Sequence, residues 1–216
     1  MEQQEILTLL QQVAEGSVTP QQAELQLKMA PFEDLGFAKL DHHRALRQGV
    51  AEVIYGAGKT PEQIRAIAQA MLARGQRTVL ITRMSAEAAA AMEGLPFRYD
   101  PLSRVGIAGT LPEPDGHGTI LIATGGTSDQ PVAEEAALTA EALGNRVVRL
   151  YDVGVAGLHR LLAHLDEIMS AQVIVAIAGM EGALASVIGG LADCPVIAVP
   201  TSVGYGASFG GVSALL

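Results

Sequence analysis

The chain has one cysteine and no tryptophan, and only four tyrosines and four phenylalanines. A single cysteine excludes an internal disulfide and a cysteine-rich metal site. So few aromatics, with a net charge of −9, argue against a base-stacking or phosphate-tracking nucleic-acid surface, so no nucleic-acid partner is expected. No apolar run approaches the ~20 residues that span a bilayer, so no membrane partner is expected either. The start, MEQQEILTLL, lacks the charged and apolar regions of a signal peptide, which points to the cytoplasm. No clustered His/Cys/Asp spacing marks a metal site, and His42 and His43, being adjacent, point apart. Lysine is absent from residues 105–216, which carry three arginines against eleven acids, whereas residues 1–104 are close to balance. A phosphorylated ligand of the second half must therefore find its cations in backbone N–H groups, a metal, a neighbouring subunit or the first half.

What is present, in a globular chain of 216 residues, is organised around TILIATGGTSDQP, residues 119–131. Thr119–Thr124 reads as a strand buried on both faces. Gly125 and Gly126 permit a sharp turn and close approach of a ligand. Ser128 or Asp129 can cap the helix that follows, with Pro131 in its first turn, and free N–H groups at such a start suit phosphate or carboxylate. Strand and helix then alternate. Val132–Leu143 places Val132, Ala136, Ala140 and Leu143 on one helical face, and Arg146–Asp152 is the next strand. Leu158, Leu161, Leu162, Leu165, Ile168 and Met169 form a helical stripe. The apolar strand QVIVAIA leads to the turn Gly179-Met180-Glu181-Gly182, the helix Ala183–Leu191 and the strand Pro195–Pro200. This alternation predicts an α/β fold, a flavodoxin-like parallel sheet in three layers with order 2-1-3-4-5. In that order GGTSD and AGMEG meet in one crevice at the carboxyl ends of strands.

The first half predicts helices over Glu2–Glu15, from Thr19-Pro20 to about Ala30, and from Thr60-Pro61 to Gly75, the last two opened by capping boxes. Ala51–Tyr55 has strand character and is expected to pair with Phe37–Leu40. Val79–Thr82 and Arg104–Ala108 read as strands, and Ala86–Met92 as a short helix. The Pro- and Gly-rich Thr110–Gly118 divides a small α/β domain, 1–109, from a second domain, 118–216. Arg44 and Arg47, three apart, share a helical face and with Lys39 and Lys59 are candidate phosphate ligands or else a solvated basic patch.

GGTSDQPVAEEA, DVGVAGLHRLL, AGMEGALASVIGGL and PVIAVPTSVGYGASFGG resemble, in order, the C-terminal half of the nickel-pincer cofactor biosynthesis LarB family. That half is similar to the aminoimidazole ribonucleotide carboxylases (PurE-like), and FAKLDHHRALRQGVAEVIYGAGKT resembles the N-terminal region peculiar to LarB. The resemblance implies carboxylation of the pyridinium ring of nicotinic acid adenine dinucleotide, with carbon dioxide or bicarbonate as co-substrate and no tightly bound cofactor. Phosphoanhydride hydrolysis then gives pyridinium-3,5-biscarboxylic acid mononucleotide and AMP. A diphosphate substrate can bring Mg²⁺ with it. The resemblance also implies a homo-octamer.

Glu181 falls at the family's base position; its plainer reading is an acid in a first helical turn, complementing the helix dipole. Gly125, Gly126, Thr127, Ser128 and Asp129 fall on the nucleotide-contacting loop. Gly179, Met180 and Gly182 flank the base, and Thr201, Ser202 and Gly204 are expected to complete the rim. Two departures stand out. The purine enzymes carry S-A-H-R-T-P where this chain has DVGVAG, with His159 a turn later, which counts against the purine reaction. The family's nucleophilic cysteine follows the GGVSALL helix, inside which this sequence stops, so a longer protein with a fifth strand is expected. Cys194 reads as a small apolar residue. The alternatives are an aminoimidazole ribonucleotide carboxylase or mutase, and a non-catalytic nucleotide-binding module.

Overall fold

Two capping boxes fix where helices begin. Thr19 N–H donates to the Gln22 side chain and Gln22 N–H to the Thr19 hydroxyl, at 2.9 and 3.2 Å. Thr60 and Gln63 repeat the exchange at 3.0 and 3.3 Å. Each satisfies two N–H groups that a helix start leaves unpaired. The computed structural model describes residues 3–28, 33–41, 44 and 48–216. Arg47, His42 and His43 lie outside them.

The first half contains α1 (Gln3–Ala14), α2 (Pro20–Lys28), β1 (Glu33–Asp34), β2 (Lys39–Leu40), β3 (Ile54–Tyr55) and α3 (Pro61–Ala73). β4 (Thr78–Thr82), α4 (Ala86–Ala90), β5 (Phe97–Asp100) and β6 (Val105–Gly109) complete it. β3, β4, β6 and β5 form a mixed sheet in that order, β3 parallel to β4 and the other pairs antiparallel. The expected pairing of Phe37–Leu40 with Ala51–Tyr55 is not made. β2 pairs with β1, Asp34 opposite Lys39, around the tight turn at Gly36. A local hairpin closes a far shorter loop than the strand anticipated eleven residues on.

The second half contains β7 (Thr119–Thr124), α5 (Gln130–Ala142), β8 (Arg146–Leu150), α6 (Leu158–Leu162), α7 (Leu165–Ser170) and β9 (Val173–Ala178). α8 (Ala183–Gly189), β10 (Val196–Pro200) and α9 (Val212–Leu215) follow. The sheet is wholly parallel, in the order β10-β9-β7-β8. Numbered within this half, that is the 2-1-3-4 part of the flavodoxin-like order, as expected. Leu121, Ala123, Ile174 and Ala176 face a core shared with Leu161, Ile168, Leu184 and Ile188. Ile122 and Ile177, on the other face, pack on Ala133 and Ala137 of α5.

α5 is buried on two sides rather than one. Leu138 and Ala142 leave the parallel sheet and pack against Leu80, Val105 and Ile107 of the mixed sheet. At ~100° per residue, Ala133 and Leu138 lie about 140° apart around the helix. Of the face expected from Val132, Ala136, Ala140 and Leu143, Val132 and Ala136 pack at the edge of the parallel-sheet core while Leu143 is exposed: a helix sandwiched between sheets has no single apolar stripe. Arg83–Glu135 and Arg98–Glu141 pairs, at 3.6 and 3.9 Å, flank the contact. Half-exposed pairs of this kind contribute at most ~1 kcal/mol each, so Leu138 and its neighbours hold the interface.

The leucine stripe also differs from expectation. The helix breaks at Ala163–His164, leaving two short helices that bury only Leu161 and Ile168, while Leu158, Leu162, Leu165 and Met169 are exposed.

Candidate functional site

A cleft of about 400 Å³ opens at the carboxyl ends of β7, β8 and β9, where the sheet order reverses. Both glycine turns line it, as predicted. Gly125, Gly126, Thr127, Ser128 and Asp129 form one wall, and Gly179, Met180 and Glu181 another. The loop after β8 contributes Asp152, Gly154, Val155 and Ala156, and α6 contributes Arg160.

Local bonding explains why the three loops converge. Gly125 N–H, beyond the end of β7, donates to the Ile177 carbonyl at 2.9 Å. Buried Thr124 accepts from Asp152 N–H on its hydroxyl, 3.0 Å, and from Val153 N–H on its carbonyl, 3.0 Å, pinning the β8 loop to β7. A Cβ on Gly154 would stand 2.5 Å from the Gly125 carbonyl oxygen, so only glycine allows this closeness. Met180 N–H reaches the Val203 carbonyl at 2.7 Å, and a Cβ on Gly179 would stand 2.1 Å from the same oxygen. Asp152 and Met180 both hold positive φ, 59° and 55°. Such strain in non-glycine residues persists where surrounding bonds over-determine it, and it gathers at binding sites.

Asp129 does not cap α5 in the expected way. A 3-10 turn over Thr127–Asp129 precedes the helix, and the Asp129 side chain makes no cap bond to it. The Asp129 carboxylate instead turns back, accepting Gly126 N–H on Oδ2 at 3.0 Å and the Thr201 hydroxyl on Oδ1 at 2.6 Å. With 4% of its surface exposed, Asp129 is fully committed to these partners. Ser128 is exposed at the mouth.

Thr201 sits beneath the wall rather than on the rim, and of the loop after β10 it is Val203 that lines the cleft. Ser202 and Gly204 are exposed beside it without lining it. Gly182 caps α8 with φ 69°, so exposed Glu181 lies outside the helix. Its reading as a first-turn acid does not hold. Its carboxylate belongs to a strained loop facing the cleft.

The cation came from an unexpected place. Arg160 lines the cleft and pairs with Asp152 at 2.7 Å. In the sequence it is hidden as one arginine in a leucine-rich helix; the signal was its position one turn past the β8 loop. Arg44 is exposed, bonds Gln48 through Nε at 2.9 Å, and is not among the cleft residues. His159 is exposed and also outside the cleft. Cys194 is half-buried, packs on the core and does not line the cleft. Among the described residues no group of His, Cys, Asp and Glu is arranged to hold a metal, and no helix is long and apolar enough to cross a membrane.

The cleft can thus hold an anion on Arg160. It can also favour a cationic group, because Asp129, Asp152 and Glu181 put three carboxylates against one guanidinium.

Comparison with known proteins agrees with this architecture. Residues 32–109 match the family described as LarB/PurE-like N-terminal domain, and residues 119–216 match the AIR carboxylase family. An uncharacterized protein of Methanocaldococcus jannaschii is 36% identical over 201 residues, covering 88% of this chain and 78% of its own length. With a LarB/PurE-like N-terminal domain joined to an AIR carboxylase-type sheet, the chain belongs to the LarB family, whose C-terminal half is PurE-like.

Proposed function

We propose that the cleft binds nicotinic acid adenine dinucleotide and that the protein carboxylates its pyridinium ring, then cleaves the phosphoanhydride to release AMP. Membership of a carboxylase-type family sets the reaction class. The observation that carries the substrate is the charge of the cleft: the Asp152 and Glu181 carboxylates suit a ring with a cationic nitrogen, and Arg160 suits a phosphate.

The chemistry follows from the ring. A thiolate adds to a ring carbon of the electron-poor pyridinium, consuming the positive charge and leaving a nucleophilic enamine carbon. That carbon attacks carbon dioxide, forming the C–C bond. A carboxylate base takes the ring proton, and loss of the thiolate restores aromaticity. Glu181 is the base in this reading, facing the cleft from a loop held by Gly179 and Gly182. The diphosphate can bring Mg²⁺ with it. No thiol is among the cleft residues, which is the observation favouring a non-catalytic nucleotide-binding module as second reading. We further propose that the working assembly is a homo-octamer in the cytoplasm, with light scattering as its test.

Incubation with nicotinic acid adenine dinucleotide and labelled bicarbonate separates the readings. It is run on this chain and on a version joined to a cysteine-bearing helix and strand from a family member. Label in a pyridinium biscarboxylate mononucleotide, with AMP released and both lost in Glu181→Gln, supports the proposal. Label transferred only to aminoimidazole ribonucleotide would install the purine reaction. Dinucleotide binding without label in either version leaves the binding module.

A further inference from the structure

Positive charge is scarce around the cleft, and what lines it is already paired. Residues 105–216 hold three arginines and no lysine. Arg146 stands at the amino end of β8, opposite Thr119 and away from the cleft, and Arg149 is bound by Glu134 and Glu141. Arg160 is the one cationic side chain among the described residues that line the cleft, and its Nη1 lies 2.7 Å from Asp152 Oδ2. A cleft built for any phosphate ester would leave that guanidinium free. This one sets a carboxylate against it.

The backbone fixes Asp152 in that place. Its φ of 59° is unfavourable for most side chains, and its N–H donates to the hydroxyl of fully buried Thr124 at 3.0 Å. Arg160 rests against bare backbone, since a Cβ on Gly157 would stand 2.7 Å from its Nε. With 39% and 52% of their side chains exposed, Arg160 and Asp152 make a weak pair that a ligand can open. Opening it releases a carboxylate as well as a guanidinium. A ligand whose charge is all negative satisfies Arg160 and leaves Asp152 facing it, like charge to like. A ligand with a cationic ring nitrogen beside its phosphates satisfies both. Of the other acids, Asp129 is committed to Gly126 and Thr201, so Asp152 is the carboxylate tied to the cation.

We propose that Asp152 is a specificity-determining residue, which makes the cleft select the cationic, oxidised pyridinium ring over the neutral dihydropyridine ring of the reduced dinucleotide. The inference rests on the reading of the cleft as a dinucleotide site and adds which redox state of the ring it accepts. The two states share adenosine, diphosphate and ring carboxylate. They differ by one hydride and one positive charge, so a group that answers to the ring charge is what separates them. The selection serves the chemistry, because only the electron-poor ring accepts a nucleophile.

The test is calorimetric titration of the whole chain with nicotinic acid adenine dinucleotide and with its reduced form, at neutral pH and fixed salt. The oxidised form is expected to bind about tenfold more tightly. Asp152→Asn keeps the side chain's size, and asparagine tolerates a positive φ, so the loop is expected to survive, with circular dichroism as the control. This variant is expected to weaken the oxidised form and to tighten the reduced form, each about threefold, so that the preference closes. Damage to the loop would weaken both forms and cannot shift them in opposite directions. Arg160→Ala, which leaves Asp152 in place and unpaired, is expected to weaken both forms and to widen the preference. Equal affinity of the two forms for the unaltered chain overturns the inference and leaves the dinucleotide reading standing. So does a preference that survives Asp152→Asn unchanged, or one that disappears in Arg160→Ala. Absence of binding of either form at millimolar concentration overturns the reading of the cleft and the inference with it.

Discussion

Thr201 donates its hydroxyl to the Asp129 carboxylate at 2.6 Å, joining the end of the last strand to a glycine turn 72 residues earlier. The second oxygen of Asp129 holds Gly126 N–H, so one buried carboxylate fastens two loops of the cleft. Thr201→Val is expected to destabilise the protein by about 1.5–3 kcal/mol, the range for a hydrogen bond to a charged group. Thr201→Ser should avoid most of the loss, because it keeps the hydroxyl. Urea unfolding of the three proteins measures this. A Thr201→Val penalty below about 0.5 kcal/mol would mean that the bond is replaced by solvent.

Gly179 and Gly189 provide a paired test of why glycine is there. A Cβ at Gly179 meets the Val203 carbonyl oxygen at 2.1 Å and the Thr201 hydroxyl oxygen at 2.8 Å, whereas at Gly189 it meets nothing within 4 Å. Gly179→Ala must push the β9 and β10 loops apart, and dinucleotide affinity is expected to fall by more than about tenfold. Gly189→Ala is expected to leave affinity unchanged and to raise stability by about 0.4–1 kcal/mol. Calorimetric titration and thermal unfolding read both; equal affinities in the two variants would dissociate the Gly179 loop from binding.

Much of this was legible in the sequence because it depends on local chemistry. Capping boxes at Thr19 and Thr60 act over three residues, and the apolar runs at Thr119–Thr124 and Val173–Ala178 declare strands covered on both faces. Two such strands followed by glycine turns suffice to place GGTSD beside AGMEG. What the sequence concealed depends on contacts made from outside the segment. The two-sided burial of α5 needs the mixed sheet, through Leu80 and Ile107. β5, whose register sets Phe97 opposite Ala108, alternates apolar and polar over only four residues, too short a run to declare a strand. Asp129 reads as a cap in any local scheme, and only Thr201, far along the chain, turns it into a fastener. Arg160 was obscured because a charge on a leucine-rich helix has no local mark that it faces a cleft.

The contrast between Arg160 and Arg44 gives a test of where ligand phosphate or carboxylate is met. Arg160 lines the cleft and Arg44 does not. Arg160→Ala is expected to weaken nicotinic acid adenine dinucleotide about tenfold and to flatten the dependence of affinity on salt. Arg44→Ala is expected to change neither. The reverse pattern, measured between about 50 and 300 mM salt, would assign the cation to the first half and return Arg160 to a partner of Asp152 alone.

Tyr151 supplies a prediction in pH. Its hydroxyl donates to Glu134 Oε1 at 2.8 Å, beside Arg149, which also binds Glu134 and Glu141. Burial holds the phenol well above its ordinary value, the bond to Glu134 and the charge of Glu134 add to this, and Arg149 pulls more weakly the other way. The folded state therefore keeps the proton more firmly than the unfolded chain, whose tyrosine titrates near ~10. The linkage runs in one direction: the contribution is complete below that unfolded value and is lost as pH rises from it toward the folded one. Tyr151→Phe deletes both the bond and the titration. At pH 6–9 the variant is expected to be less stable by a constant amount of about 1 kcal/mol. Above pH ~10 the gap should narrow, because only the tyrosine-bearing chain releases a proton on unfolding. Urea midpoints for the two proteins, taken from pH 6 to pH 11, give the difference directly, since groups shared by both cancel. A gap that stays constant to pH 11 would show that the phenol titrates alike in the folded and unfolded chains, and one that widens would show that folding eases its ionisation.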